Sequence, residues 1–304
     1  MSARRIADDL LRPFQLERSS LRGRLVRLGG ALDQILTRHD YPEPVGQLLG
    51  ELLVLAAALA GGLKFKGTFS LQAKGAGPVS LILADYVHDG TMRGYASFDA
   101  ERIPSGADIG TLLGEGRLAL TVDQGETGTA YQSIVELSSA SLTECMQTYF
   151  RQSEQLKTGL KIAVGRVADG DARRWRGGGL MVQRLADQPL DDLGDEDQED
   201  WYRTMVLLGT ATTTELLEPD LPADDLLYRL FHEEGVRVFA PQDLRFGCRC
   251  SRERVDMMLR RFSDAEVQAM RQDDGGLVVT CQFCNAAFRY DEAQIAALRA
   301  RSMH

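Results

Sequence analysis

Gly247-Cys248-Arg249-Cys250-Ser251 and Cys281-Gln282-Phe283-Cys284-Asn285 hold four of the chain's five cysteines as two tight pairs, separated by the 30 residues 251–280. Two such pairs brought together offer four sulfur ligands to one tetrahedral ion, and soft thiolates point to zinc first and iron second. A Zn²⁺ ion held by four thiolates has a net charge of about −2 and no open position for substrate, so its default role is structural. A thioredoxin-like role for Cys281 and Cys284 lacks the βαβ surroundings it needs. The same sulfurs are the most oxidisable atoms in the chain, because metal binding keeps them as thiolates that react with peroxide or hypochlorite. A Cys-x-Cys and a Cys-x-x-Cys pair can each close a local disulfide, and a disulfide is a poor zinc ligand. Oxidation would then release the ion.

Residues 248–304 surround these cysteines as a unit of under 60 residues with few large apolar side chains. Ser251 can cap a helix carrying Val255, Met258, Leu259 and Phe262 on one stripe. Ser263 and Glu266 form a capping box for a second helix ending near Asp274-Gly275-Gly276. Leu277–Thr280 and the Phe288/Tyr290 segment read as two strands, and a last helix starts at Asp291. So small a core is marginal without a staple. Metal is the staple here, worth on the order of 10 kcal/mol or more, and its loss should unfold the module.

Upstream, Asp187–Asp200 carries eight acidic side chains and no Lys or Arg, which marks a boundary and the start of a linker. Residues 187–247 form a charged, mostly helical linker. Trp201–Leu217 and Leu221–His232 are helical by period, and Val236–Phe239 is a short strand-like tail. The apolar surface of this segment is thin, so it must lean on a neighbour. A segment of that kind, joined to a metal-dependent end, is one that opens first.

Residues 1–186 make an α+β core domain rich in antiparallel sheet, with readable elements from residue 20 onward. Arg22–Leu28 is the first strand, Ala31–Leu36 a short helix, and Val45–Leu59 an apolar helix entered through Pro44. Strands follow at Lys66–Lys74, Val79–Ala84, Thr91–Phe98, Arg117–Val122 and Ala130–Leu137, with Phe69, Leu71 and Ala73 on one face. Ser141 and Glu144 open a helix on whose inward stripe Cys145 lies as a buried small hydrophobe. Thr158–Val167 and Gly179–Arg184 complete the strands. The Asp169–Asp171 run with Arg173-Arg174 reads as a solvated turn, and Gly177-Gly178-Gly179 as another turn.

The chain has 304 residues, 44% of them hydrophobic, and a net charge of −9. That charge argues against phosphate-backbone binding as the main job. Leu48–Leu63 is the most apolar stretch but carries Glu51 and ends in Gly61-Gly62, so it reads as a buried helix and no membrane role is expected. The first residues have no apolar h-region, and reduced cysteine pairs fit the cytoplasm. No GxSxG, HExxH or GxxxxGK[ST] occurs, and His39, His88, His232 and His304 are scattered, so no enzyme is expected.

The run Pro241-Gln-Asp-Leu-Arg-Phe-Gly-Cys-Arg-Cys-Ser-Arg-Glu-Arg254, followed by Cys281-Gln-Phe-Cys284, resembles the redox-switch domain of the bacterial Hsp33 family. His39-Asp-Tyr-Pro42, Gly75–Pro78, Met92–Ala96, Tyr131-Gln132, Tyr149–Gln155 and Tyr228–Glu234 match family segments in order, so the resemblance covers essentially the whole chain. Asn285 stands where the family often has Gly, and nothing departs at the ligands. The resemblance implies a holdase with no ATP site. Reduced, Cys248, Cys250, Cys281 and Cys284 would hold one zinc and the protein would be inactive. Oxidised, Cys248–Cys250 and Cys281–Cys284 disulfides would form, zinc would leave, and the linker would unfold. Unfolding clients would then bind and a homodimer would form. The alternative is a zinc module for nucleic acid, using Arg245, Arg249, Arg252, Arg254, Arg260 and Arg261. Against it, residues 245–304 hold ten Arg but also eight acidic residues, a balance of only +2.

Overall fold

The structure, a computed structural model, describes residues 8–19, 21–125, 128, 130–137, 141–184 and 195–300. The composition break at Asp187 falls outside the described residues. The chain divides into two units, Met1–Phe246 and Gly247–His304.

In chain order the first unit contains β1 (Leu10–Leu16), β2 (Leu21–Leu28), α1 (Gly30–Leu36), α2 (Glu43–Ala60), β3 (Thr68–Gly75), β4 (Val79–Val87) and β5 (Thr91–Phe98). Then come α3 (Ile109–Leu113), β6 (Gly116–Asp123), β7 (Tyr131–Glu136), α4 (Leu142–Gln152), β8 (Thr158–Asp169) and β9 (Ala172–Arg184). After these lie α5 (Asp195–Thr210), α6 (Thr213–Leu217), α7 (Ala223–Phe231), β10 (Val236–Val238), β11 (Gln242–Asp243) and β12 (Arg245–Phe246). One sheet runs β10-β1-β2-β9-β8, with β11 also on β1. The other runs β12-β5-β4-β3-β6-β7, antiparallel except where Arg245 pairs in parallel with Thr91. The class is therefore the α+β, antiparallel-rich one that the sequence predicts.

Helix α2 lies between the two sheets, touching β4 and β5 on one and β2, β8 and β9 on the other. Fourteen of its 18 residues are buried, which accounts for its all-round apolar character. It has the length and hydropathy to cross a membrane, but 78% of that window is buried inside the protein.

The outer face of the first sheet is equally apolar. Along β1 and β2 side chains alternate strictly: Leu11, Val26 and Leu28 point to α2, while Leu10, Phe14, Leu16, Leu21 and Leu25 point outward. Helices α5–α7 cover that outer face with Leu208, Leu216, Leu226, Leu227, Leu230 and Phe231. The rings of Phe14 and Phe231 stack with centroids 5.7 Å apart. So the charged segment does lean on a neighbour.

Several expectations are corrected. Strand β1 has no clear alternation in the sequence because Arg12 and Pro13 interrupt its apolar residues. Pro13 fits because it faces the gap between β10 and β11, where only its carbonyl is used, by the Phe239 N–H at 3.0 Å. Arg173, Arg174 and the glycine triplet are not turn residues but lie within β9. The turn is only Gly170-Asp171, with Gly170 at φ +62 as a type II′ hairpin requires. The triplet is there because helices press on both faces of the strand. A Cβ at Gly179 would lie 2.5 Å from Val54 of α2, and one at Gly178 would lie 2.2 Å from the Leu216 carbonyl of α6. Gly178→Ala is expected to push α6 off the sheet and lower stability by about 1–3 kcal/mol, read as a fall in the urea midpoint of the first unit. The helix expected over 201–217 breaks at Ala211, and Thr212 with Glu215 starts α6 through a reciprocal capping box.

The second unit contains α8 (Arg252–Leu259), α9 (Asp264–Ala269), β13 (Leu277–Thr280), β14 (Ala287–Tyr290) and α10 (Glu292–Ala300). The Ser263–Glu266 capping box is present, but α9 ends at Ala269, short of Asp274. Met258, expected on the inward stripe of α8, is 40% exposed. The core is seven buried residues: Val255, Leu259, Val267, Leu277, Tyr290, Ile295 and Leu298.

Candidate metal centre

Each cysteine pair sits on a short backbone device that its own sequence supplies. Ser251 caps α8 by accepting from the Arg254 N–H, and the Arg254 guanidinium reaches back to the Arg249 carbonyl at 2.8 Å. Together these hold Cys248-Arg-Cys250 against the helix start. At the other pair, the Cys281 carbonyl accepts from the Asn285 N–H at 2.8 Å and the Cys281 N–H donates to Ala286 at 2.9 Å. The tight turn between β13 and β14 puts Asn285 at φ +57, the left-handed region that Gly and Asn tolerate best. That is why Asn can stand there.

The four sulfurs converge. Cys248 and Cys281 Sγ are 3.6 Å apart, Cys250 and Cys284 Sγ are 3.3 Å apart, and all four lie within 4.8 Å of one another. Four sulfurs at ordinary Zn–S distance on a tetrahedron would be about 3.8 Å apart, so the donor set is compatible with one zinc. Cys284 is buried and the other three are half-buried.

Electrostatics favour the same reading. Burial opposes the Cys248 thiolate, but the Cys250 N–H and the thiols of Cys250, Cys281 and Cys284 outweigh it and bring Cys248 down to about 7. Cys250 is driven well above the usual thiol range by burial and by the neighbouring sulfurs, and burial also raises Cys284. Without a cation, thiols packed this closely cannot all ionise. A divalent ion removes that conflict.

A second set of contacts, which sequence reasoning missed, steadies the unit. Tyr290 donates its hydroxyl to Asp256 at 2.7 Å, and the Arg252 guanidinium lies over its ring at 4.2 Å while bonding the Arg289 carbonyl and Gln294. Burial and the Asp256 partner raise Tyr290 to about 12. Nothing in local spacing could have paired Arg252 with Tyr290. Cys145 is buried on α4 and outside the cluster. His39 packs against Tyr41 and Tyr95, and His232 Nδ1 lies 3.1 Å from the Tyr228 carbonyl. Among the described residues no histidine joins a metal-type group.

A two-sheet α+β unit followed in the chain by a small four-cysteine module defines a class of protein with a four-sulfur site compatible with one metal ion. The family model described as "Hsp33 protein" matches residues 9–291. The chain belongs to the Hsp33 family. The "33 kDa chaperonin" of Caulobacter vibrioides is 40% identical over 292 residues, covering 94% of this chain and 96% of that one. That of Azotobacter vinelandii is 41% identical over 293 residues, covering 95% and 94%. The crystal structure of the 33 kDa chaperonin (heat shock protein 33 homolog) from Thermotoga maritima shares the fold, with a TM-score of 0.81 at 23% identity, covering 97% and 99%.

Proposed function

We propose that this protein is a redox-regulated, ATP-independent holdase, inactive when reduced and zinc-bound and active when oxidised, acting in the cytoplasm. The observation that carries the reading is the docking of α5–α7 over an apolar sheet face, in a segment that runs on into the four-cysteine unit. In functional terms the chain divides into a client-binding and dimerising core at 1–186, a linker at 187–247 and a switch at 248–304.

Cys248, Cys250, Cys281 and Cys284 are the ligands of one zinc. The ion, when bound, neutralises the thiolates and ties the two cysteine turns together. On exposure to peroxide, Cys248 pairs with Cys250 and Cys281 with Cys284. Each pair of thiolates gives up two electrons as its S–S bond forms, and one hydrogen peroxide takes up those electrons and two protons to become two waters. The short sulfur distances between the two motifs make Cys248–Cys281 and Cys250–Cys284 the competing pairings, which disulfide mapping by mass spectrometry distinguishes. With its ligands spent, the switch unfolds and the linker follows. The partners are then unfolding proteins and a second copy of this chain. Several switch arginines are already engaged within their own unit, Arg252 on Tyr290 and Arg254 on Arg249, which weighs against the nucleic-acid alternative.

The test is light scattering from an unfolding client with reduced and with peroxide-treated protein, alongside zinc and free-thiol counts. Suppression only after oxidation, with one zinc lost per chain, is expected. Equal suppression in both states, or none in either, would end the proposal. Acid should also act on the switch. Zinc binding must displace the protons that the raised Cys250 and Cys284 retain, so apparent affinity should rise at least a hundredfold per pH unit near pH 8. Below about pH 7 Cys248 adds a third proton and a steeper slope, measured by competition with a chelator.

A further inference from the structure

In the first unit, the inner face of the first sheet, the C-terminal end of α2, strands β6 and β7, and helix α4 line a half-open cavity of about 380 Å³. Its walls are apolar and aromatic, formed by Leu59, Phe69, Leu120, Tyr149, Phe150 and Met181. At one end stands Arg24, half-buried on β2. Its Nη1 donates to the Ala58 carbonyl at 3.3 Å and to Gln183 Oε1 at 3.2 Å, and lies 3.5 Å from Met181 Sδ. Among the described residues its Nε and Nη2 have no hydrogen-bond partner, and no carboxylate pairs with it. The comparably enclosed arginines of this unit differ. Arg27 is satisfied by four carbonyls, Arg93 by Asp85, and Arg176 by a two-pronged pair with Asp8. Glu154 also lines the cavity, but its Oε1 is taken by the Tyr149 hydroxyl at 2.5 Å.

Desolvation, with Arg22 nearby, pulls Arg24 down to about 10, so it remains a cation at neutral pH. A half-buried cation without a counter-charge has lost part of its hydration, and an anion beside it would offset that loss. The free edge of a guanidinium is shaped for a carboxylate.

We propose that this cavity binds a monoanionic amphiphile of the fatty-acid class, its carboxylate on Arg24 Nε and Nη2 and its chain along the aromatic wall. The volume is in the range of small-molecule sites, and an apolar lining with one convergent charged group is their usual make-up. This site is independent of the redox reading.

The test is calorimetric titration of reduced, zinc-loaded, full-length protein with decanoate, using decanol and decyltrimethylammonium as comparators, all below their micellar range. One saturable decanoate site per chain is expected, with both comparators at least tenfold weaker. Arg24→Gln should lose at least tenfold for decanoate and nothing for decanol. Because that variant could fail to fold, Leu63→Trp provides a second arm. Leu63 lines the cavity yet is 46% exposed, so the larger ring should block entry with the thermal midpoint unchanged. Decanol binding as tightly as decanoate, decanoate binding unaltered in a folded variant of either kind, or no saturable site would each overturn the proposal.

Discussion

Chelating the metal from fully reduced protein is expected to unfold residues 247–304 while the two sheets of the first unit stay folded. Among its described residues the second unit has seven buried core residues and a two-stranded sheet with one four-residue register, Leu277–Thr280 on Ala287–Tyr290. Domains of that size rarely hold together on such a core. A four-thiolate zinc contributes on the order of 10 kcal/mol, more than the whole stability the remainder can supply. The first unit has its own large core around α2, and among the described residues no metal-type group lies in it. Hydrogen exchange after chelation should therefore show amides of α8, β13 and β14 exchanging at once, with those of α2, β3 and β4 protected as before. Protection retained in β13 and β14 without metal would refute the staple.

The second large effect is expected from Phe231→Ala, which should make reduced, zinc-loaded protein behave as the oxidised form does. Phe231 is fully buried and its ring stacks on Phe14, in the centre of the contact between α7 and the first sheet. Truncating such a ring costs about 3–5 kcal/mol. Much of that falls on the docking of α5–α7, raising the undocked population by roughly two to three and a half decades. Other anchors remain. Arg27 caps the C-terminal end of α6 through the carbonyls of Glu215, Leu216, Glu218 and Leu221, and Arg12 of β1 pairs with Asp224 of α7 at 3.0 Å. The segment should therefore loosen without the first unit melting. Suppression of client aggregation under reductant is the readout. Tyr228→Ala, on the same helix but 65% exposed, serves as the control and should leave the reduced form inactive. If Phe231→Ala opens the segment, as proteolysis would report, yet gives no suppression, the covered sheet face is not where clients bind.

The same physics explains what could be read in advance. The helix caps at Ser141, Ser251 and Ser263 were legible because a cap is a bond across three residues, and each Ser accepts from the expected N–H. The cap of α1 was not legible. Asp9, twenty residues before Gly29, accepts from Gly29 and Ala31. Burial raises its carboxyl despite those two bonds, a tertiary arrangement with no local signal. The glycine triplet misled for the same reason, since its meaning lies in Val54 and Leu216, far away in the chain.

By itself the amino-acid order determined the elements with a local period, the apolar character of α2 and the two cysteine pairs whose spacing points to one tetrahedral ion. All of these are set by neighbours within a few residues or by the chemistry of sulfur. Only the tertiary structure decided that Pro13 sits in a gap between two short strands, that α2 is buried between two sheets and that Arg24 has no counter-charge among the described residues. It also decided that α5–α7 hide an apolar sheet face. Those facts depend on which surface is pressed against which, a choice made by burying area between segments that can lie more than two hundred residues apart, as Phe14 and Phe231 do.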